Sequence, residues 1–185
     1  WVDREQLEST LTADGGKKLW SVDTTAEFGV VKNFFGVGST PVVWNDLLIA
    51  NIGGSPAGSP TDVYAAGGQV EGNGTGVVAF DKLTGKVRWK ATDELASYAS
   101  PVIANVGVAR PEYSKGVPPV GVPRCFVLAR GGLMMLDPAT GKVDFDFPWR
   151  ATKLESVNAS SPVVVGDEVF ISEAYGPGSA LLNEA

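Results

Sequence analysis

The sequence predicts an all-β fold assembled from repeated four-stranded antiparallel units, on three observations. Turn formers are abundant, with 23 Gly and 12 Pro in 185 residues, and they separate short apolar runs instead of long helical patterns. One turn-centred segment recurs: Asp81-Lys82-Leu83-Thr84-Gly85-Lys86-Val87-Arg88-Trp89 reads against Asp137-Pro138-Ala139-Thr140-Gly141-Lys142-Val143-Asp144-Phe145. A shortened copy is Asp14-Gly15-Gly16-Lys17-Lys18-Leu19-Trp20. A second element alternates with the first: Thr40-Pro41-Val42-Val43, Ser100-Pro101-Val102-Ile103 and Ser161-Pro162-Val163-Val164, spaced by 60 and 61 residues. Strict alternation means that a single unit repeats, longer than the ~40–50 residues of common propeller repeats and therefore carrying insertions in its loops.

Each piece of the unit has its own local reason. An Asp opening the turn bonds the backbone ahead of it, Pro138 presets φ, and Gly85 or Gly141 supplies the positive φ that closes a hairpin. Apolar runs flank the turn, Val77-Val78-Ala79-Phe80 in one copy and Leu133-Met134-Met135-Leu136 in the other. The run Val163-Val164-Val165, the tight Gly166-Asp167 and then Val169-Phe170-Ile171 make a second hairpin, and Asn45-Asp46 does the same in the earlier copy. Four strands per unit follow. One blade is expected at 40–44, 47–52, 76–81 and 86–91, the next at 100–104, 124–129, 132–137 and 142–149, and a third at 161–165, 168–173 and 179–184. The last two strands of another are expected around 9–22. Four-stranded units repeated in series build propellers, each blade burying its faces on its neighbours. Residues 1–185 are thus expected to be part of a single propeller domain, with blade parts at about 9–22, 40–91, 100–149 and 161–185. Two full blades and two partial ones do not close a ring, so the sequence is expected to be a fragment of one.

Composition narrows the chemistry. With 44% hydrophobic and 19% charged residues the chain has material for a core. Its net charge of −6, without a basic run, argues against nucleic-acid binding. The sequence contains no His, which removes His-based triads and the usual zinc sites. Cys125, the only cysteine, is expected to be a small buried apolar side chain. No apolar run approaches the ~20 residues of a membrane-spanning helix. The N-terminal Trp1-Val2-Asp3-Arg4-Glu5 is not a signal peptide.

The stretch Gly76-Val77-Val78-Ala79-Phe80-Asp81-Lys82-Leu83-Thr84-Gly85-Lys86-Val87-Arg88-Trp89, followed by Ser100-Pro101-Val102, resembles the PQQ-type propeller repeat. That repeat is shared by quinoprotein alcohol dehydrogenases and by the non-enzymatic lipoprotein of the machinery that assembles outer-membrane β-barrels. Residues 155–173 are also similar to PQQ-binding-like propeller proteins encoded by planctomycetes and related bacteria. The resemblance implies seven or eight blades, and it places Trp20, Trp89 and Phe145 at the aromatic position that packs between adjacent blades. It leaves PQQ and calcium open as cofactors. Quinoprotein dehydrogenases carry a pair of adjacent cysteines near the quinone, and no such pair occurs here.

In antiparallel blades, loops entering the first strand and loops between the second and third share one end. Most of the added length falls there: 24–39, 53–75, 93–99, 152–160 and 174–178. Long loops of this kind are often functional. The ligand-binding candidates on that end are Glu155, Asn158, Glu173, Tyr175, Arg130 and Tyr98, with Asp93 and Glu94 nearby. Converging carboxylates and amides suit calcium or a polar ligand. The insertion 105–123, with Arg110 and Lys115, falls on the opposite end. Asn73-Gly74-Thr75 and Asn158-Ala159-Ser160 fit the N-glycosylation pattern.

The leading expectation is a binding or protein-interaction module. It uses the loop-rich end to hold a protein partner or small polar ligand, in the periplasm or at the cell surface as the resemblance implies. One alternative is a PQQ- and calcium-dependent quinoprotein alcohol dehydrogenase, in which the cofactor takes the hydride and the protein orients it. The other is a structural subunit of an extracellular assembly.

Overall fold

A computed structural model describes residues 18–36, 38–67, 69–107 and 121–183. Apart from one short helix, α1 (Thr24–Phe28), its regular elements are strands in three antiparallel sheets. Strands β1 (Val42–Trp44), β2 (Leu47–Asn51), β3 (Val77–Asp81) and β4 (Val87–Ala91) form the first, in sequence order. The second is β5 (Val102–Val106), β6 (Val122–Leu128), β7 (Gly132–Leu136) and β8 (Val143–Pro148). The third is β9 (Val163–Val165), β10 (Glu168–Glu173) and β11 (Gly178–Asn183). These are propeller blades, and no closed ring is formed among the described residues.

Most strand ends agree with the sequence pattern to within one or two residues. The expected strands around 9–22 fall mostly outside the described residues, and 18–23 belong to no strand among them. Most of the 105–123 insertion, Arg110 and Lys115 included, also lies outside the described residues. Helix α1 occupies a segment expected to be loop. Asp23 caps it, its carboxylate accepting from the N–H groups of Thr25 and Ala26 at 3.1 and 3.0 Å, and Gly29 ends it at φ +69°.

Why the middle strands read as continuous apolar runs is clear from the packing. Successive side chains point to opposite faces of a sheet, and here both faces are covered. Leu47, Ile49, Val77 and Ala79 pack toward the second blade, against Cys125, Val127, Met134 and Leu136. Their alternates Val78 and Phe80 pack the other way, with Phe28, Val30 and Ile52. Phe126, Leu128, Leu133 and Met135 meet Val169 and Ile171 of the third blade. Each fully buried aliphatic side chain contributes about 1.5–3 kcal/mol. The core therefore lies in layers between blades. Cys125 sits fully buried in one of them, and burial pushes its thiol up to about 12.

Two contacts repeat from blade to blade. The Trp20 indole N–H donates to Lys82 O at 3.0 Å, and that of Trp89 to Pro138 O at 3.1 Å. Each aromatic thus seats on the turn of the following blade, where Gly85 and Gly141 leave no room for a Cβ: one would stand 2.6 and 2.5 Å from indole atoms. A register shift places a bulge just before the aromatic position in both complete blades, skipping Arg88 and Asp144. Phe145 is 42% exposed and lines an apolar hollow with Phe126, Met135, Val169 and Leu182. The Ser/Thr-Pro element makes the second contact. Thr40 N donates to Ser100 Oγ at 2.9 Å and Ser100 N to Ser161 Oγ at 3.0 Å, joining the entries to successive inner strands.

Candidate functional site

Antiparallel order assigns the loops 29–41, 52–76, 92–101, 129–131, 149–162 and 174–177 to one end of the blades. Hydrogen bonds between these loops make that end a continuous structure. Arg130, 2% exposed, is its central tie. It donates through Nη2 to Leu154 O at 2.9 Å and through Nη1 to Asn33 Oδ1, while its own N–H reaches Leu95 O at 3.0 Å. Loops that lead into three different blades are held by this one residue. Burial, and after it the charge of Arg150, brings its guanidinium down to about 10, so it remains protonated at neutral pH.

Asn158 and Glu173 are ties of the same kind. Asn158 is fully buried and donates from Nδ2 to Ala129 O at 2.7 Å and Trp149 O at 3.0 Å, its main-chain carbonyl accepts from Tyr98 N at 2.9 Å, and its Oδ1 is buried without a hydrogen-bond partner among the described residues. Glu173, 5% exposed, accepts from Ala151 N at 2.8 Å and from the Ser156 hydroxyl. Glu94 accepts from Gly131 N at 2.8 Å, and Asp93 from Gly74 N at 2.7 Å. Removing one partner of a buried bond such as those of Arg130 with Asn33, Asn158 with Ala129 and Glu173 with Ala151 costs about 1–3 kcal/mol, so these groups fix loop geometry.

The sequence candidates therefore divide. Arg130, Asn158 and Glu173 face inward and are committed to the protein, whereas Glu155 and Tyr175 stand at the surface and Tyr98 is half-buried. The carboxylates do not gather into a calcium cluster: both Glu173 oxygens are engaged by Ala151 N and Ser156 Oγ, Glu155 stands at the surface, and no group of three or more His, Cys, Asp or Glu among the described residues is placed to hold a metal ion. The glycosylation triplets are also accounted for structurally. The Asn73 amide nitrogen donates to Ser55 O at 2.7 Å and Phe28 O at 3.0 Å, and that of Asn158 is buried as described.

What sequence reasoning passed over is aromatic. Asn33-Phe34-Phe35-Gly36 forms a tight turn closed by Gly36 N donating to Asn33 O at 2.9 Å. Asn33 is pinned by its own Nδ2, which donates to Ala96 O at 2.7 Å, and by Arg130. Phe35 N donates to the Tyr98 hydroxyl at 2.7 Å. The Phe34 ring meets those of Phe35 and Tyr64 edge-on, at centroid distances of 4.6 and 5.9 Å, and Phe35 approaches Tyr98 at 6.1 Å. Desolvation, and after it the Glu155 carboxylate, raises the Tyr64 phenol above its ordinary range. The available signal was two phenylalanines between Asn and Gly, positions where turns normally carry polar residues.

No helix among the described residues is long and apolar enough to cross a membrane. A search of curated proteins gives no match. The model of one family, the outer membrane protein assembly factor BamB, matches residues 4–183, almost the whole length. With its blades, its interblade aromatic contacts and that match, the chain belongs to the BamB family of PQQ-repeat propellers.

Proposed function

We propose that the chain is a protein-interaction module, part of a single propeller domain spanning residues 1–185 and working in the periplasm or at the cell surface. The end built from the long loops is its binding surface. The observation that carries this reading is the interloop bracing by Arg130, Asn158 and Glu173. The Arg130 guanidinium, both Glu173 oxygens and the Asn158 amide nitrogen are engaged in holding loops, so the surface they hold is fixed before any partner arrives. Preorganisation of this kind lowers the ordering cost of association. Family membership supports the same reading, since the family is described by an assembly factor.

Lysine-directed cross-linking of the intact protein in its own cell envelope tests it. Lys32 and Lys153 lie on the loop-bearing end, and Lys82, Lys86 and Lys142 on the opposite turns. Intermolecular products to a protein are expected from the first pair. Products confined to the second group, or none from either, would refute the assignment.

A further inference from the structure

Within that reading, on which this inference rests, we infer that the turn Asn33-Phe34-Phe35-Gly36 is a preformed two-ring anchor that inserts into an apolar pocket on a folded protein partner. Phe34 and Phe35 are 59% and 80% exposed. Exposed single apolar residues are ordinary, but these two occupy the corner of one turn and are held there by polar bonds, of which those of Asn33 are buried. Arg130 and Ala96 O fix Asn33, Tyr98 fixes the Phe35 amide, and Tyr64 buttresses Phe34. The loop bearing Tyr64 is itself tied in, with Lys32 N donating to Thr61 O at 3.0 Å and Val63 N to Lys32 O at 3.1 Å. A buried cation and a buried amide therefore maintain the position of two side chains that bury little of themselves.

The shape and chemistry of the tip select the occupant. Among the described residues a Cβ at Gly36 would meet nothing within 4 Å, so the turn projects, and it needs a concave complement. The two rings touch edge to face at 86°, leaving no slot between them for a small planar ligand. Phenylalanine offers no hydrogen-bonding group, so the complement is apolar. A bilayer is also apolar, but interfacial insertion is favoured by a basic surround. Lys32 adjoins the turn and Arg130 acts on Tyr64, but Glu155 and Asp62 act on the same ring and the net charge is −6, so the surround is mixed and not basic. Aromatic side chains in a preorganised setting are the usual carriers of binding energy at protein interfaces.

The test places a photoreactive benzoylphenylalanine at position 35 of the intact protein in its own cells, with position 83 on the opposite end as control. It is combined with F34S/F35S, which removes only exposed rings and is checked for an unchanged melting curve. A protein adduct is expected from 35 and not from 83. The affinity of the purified adduct partner is expected to fall at least about 30-fold in F34S/F35S. An adduct whose partner binds the double variant equally well overturns the anchor. So does a phospholipid adduct, or binding to phosphatidylethanolamine–phosphatidylglycerol vesicles that the double substitution abolishes; both assign the tip to lipid. If position 35 gives nothing while Lys32 and Lys153 still cross-link to a protein, the anchor is wrong and the interaction module stands. If neither gives a product, both fall.

Discussion

Gly141 offers the sharpest test of how the blades are joined. Its φ of +76° and the position of Trp89 mean that an added Cβ would stand 2.5 Å from the indole Cε3 and 2.8 Å from Cδ2. Gly141→Ala therefore carries two costs. A left-handed backbone costs a residue with a Cβ about 1–2 kcal/mol, and overpacking against the ring adds about 1–3 kcal/mol. The expected destabilisation is about 2–5 kcal/mol. In a Trp89→Leu background the ring is gone and only the backbone cost of about 1–2 kcal/mol remains, so the double-mutant cycle should return a coupling of about 1–3 kcal/mol. Urea denaturation followed by far-ultraviolet circular dichroism measures all four proteins. Equal penalties for Gly141→Ala in the two backgrounds would show that the turn does not seat on the tryptophan, and the interblade contact would be refuted.

Three further outcomes are expected. Arg130→Lys leaves one ammonium where a planar fork reached both Asn33 Oδ1 and Leu154 O. It should cost about 1.5–3 kcal/mol in the same denaturation assay and speed amide hydrogen exchange in residues 33–36; unchanged exchange would contradict its role as a tie. The Cys125 thiol, fully buried and with its pKa raised to about 12, should resist a thiol reagent at pH 8 in the native protein and react at once in urea. Hydrogen bonds from the Thr84 hydroxyl and then the Thr84 N–H hold the Asp81 carboxyl below the usual carboxylate range. A carboxylate with a depressed folded pKa adds stability that is complete above the unfolded value and is lost as pH falls through the folded one. Asp81→Asn should accordingly flatten the acid limb of the stability profile below about pH 4 and not near neutrality.

The architecture was legible because its signals are local. Asp at the head of a turn, Gly85 and Gly141 at φ +70° and +76°, and β-branched runs on either side all act within a few residues. Contacts between blades are not local, and there the reading was incomplete. The spacing of Thr40, Ser100 and Ser161 was visible, but that two of the hydroxyls accept the N–H of the preceding copy depends on how blades stack. Arg130, Asn158 and Glu173 were expected to bind a ligand, and in the structure their side chains bond to the protein itself. That they point inward could not be read, since nothing in sequence distinguishes a polar group meeting solvent from one meeting a carbonyl of another blade. Helix α1 was missed because five residues carry too little periodicity, although Asp23 and Gly29 bracket it with ordinary capping residues.

The interblade contacts have a consequence for how such a chain is able to change in length. Trp20 fits the turn of the next unit as Trp89 fits the turn after that, and the Ser hydroxyls pass the same bond along. Each unit thus presents a plug on one side and the matching socket on the other. A duplicated unit would arrive already complementary to both of its neighbours, requiring no new interface chemistry. Loop segments beyond these contacts remain free to diverge from copy to copy, and in this chain one of them carries the aromatic turn.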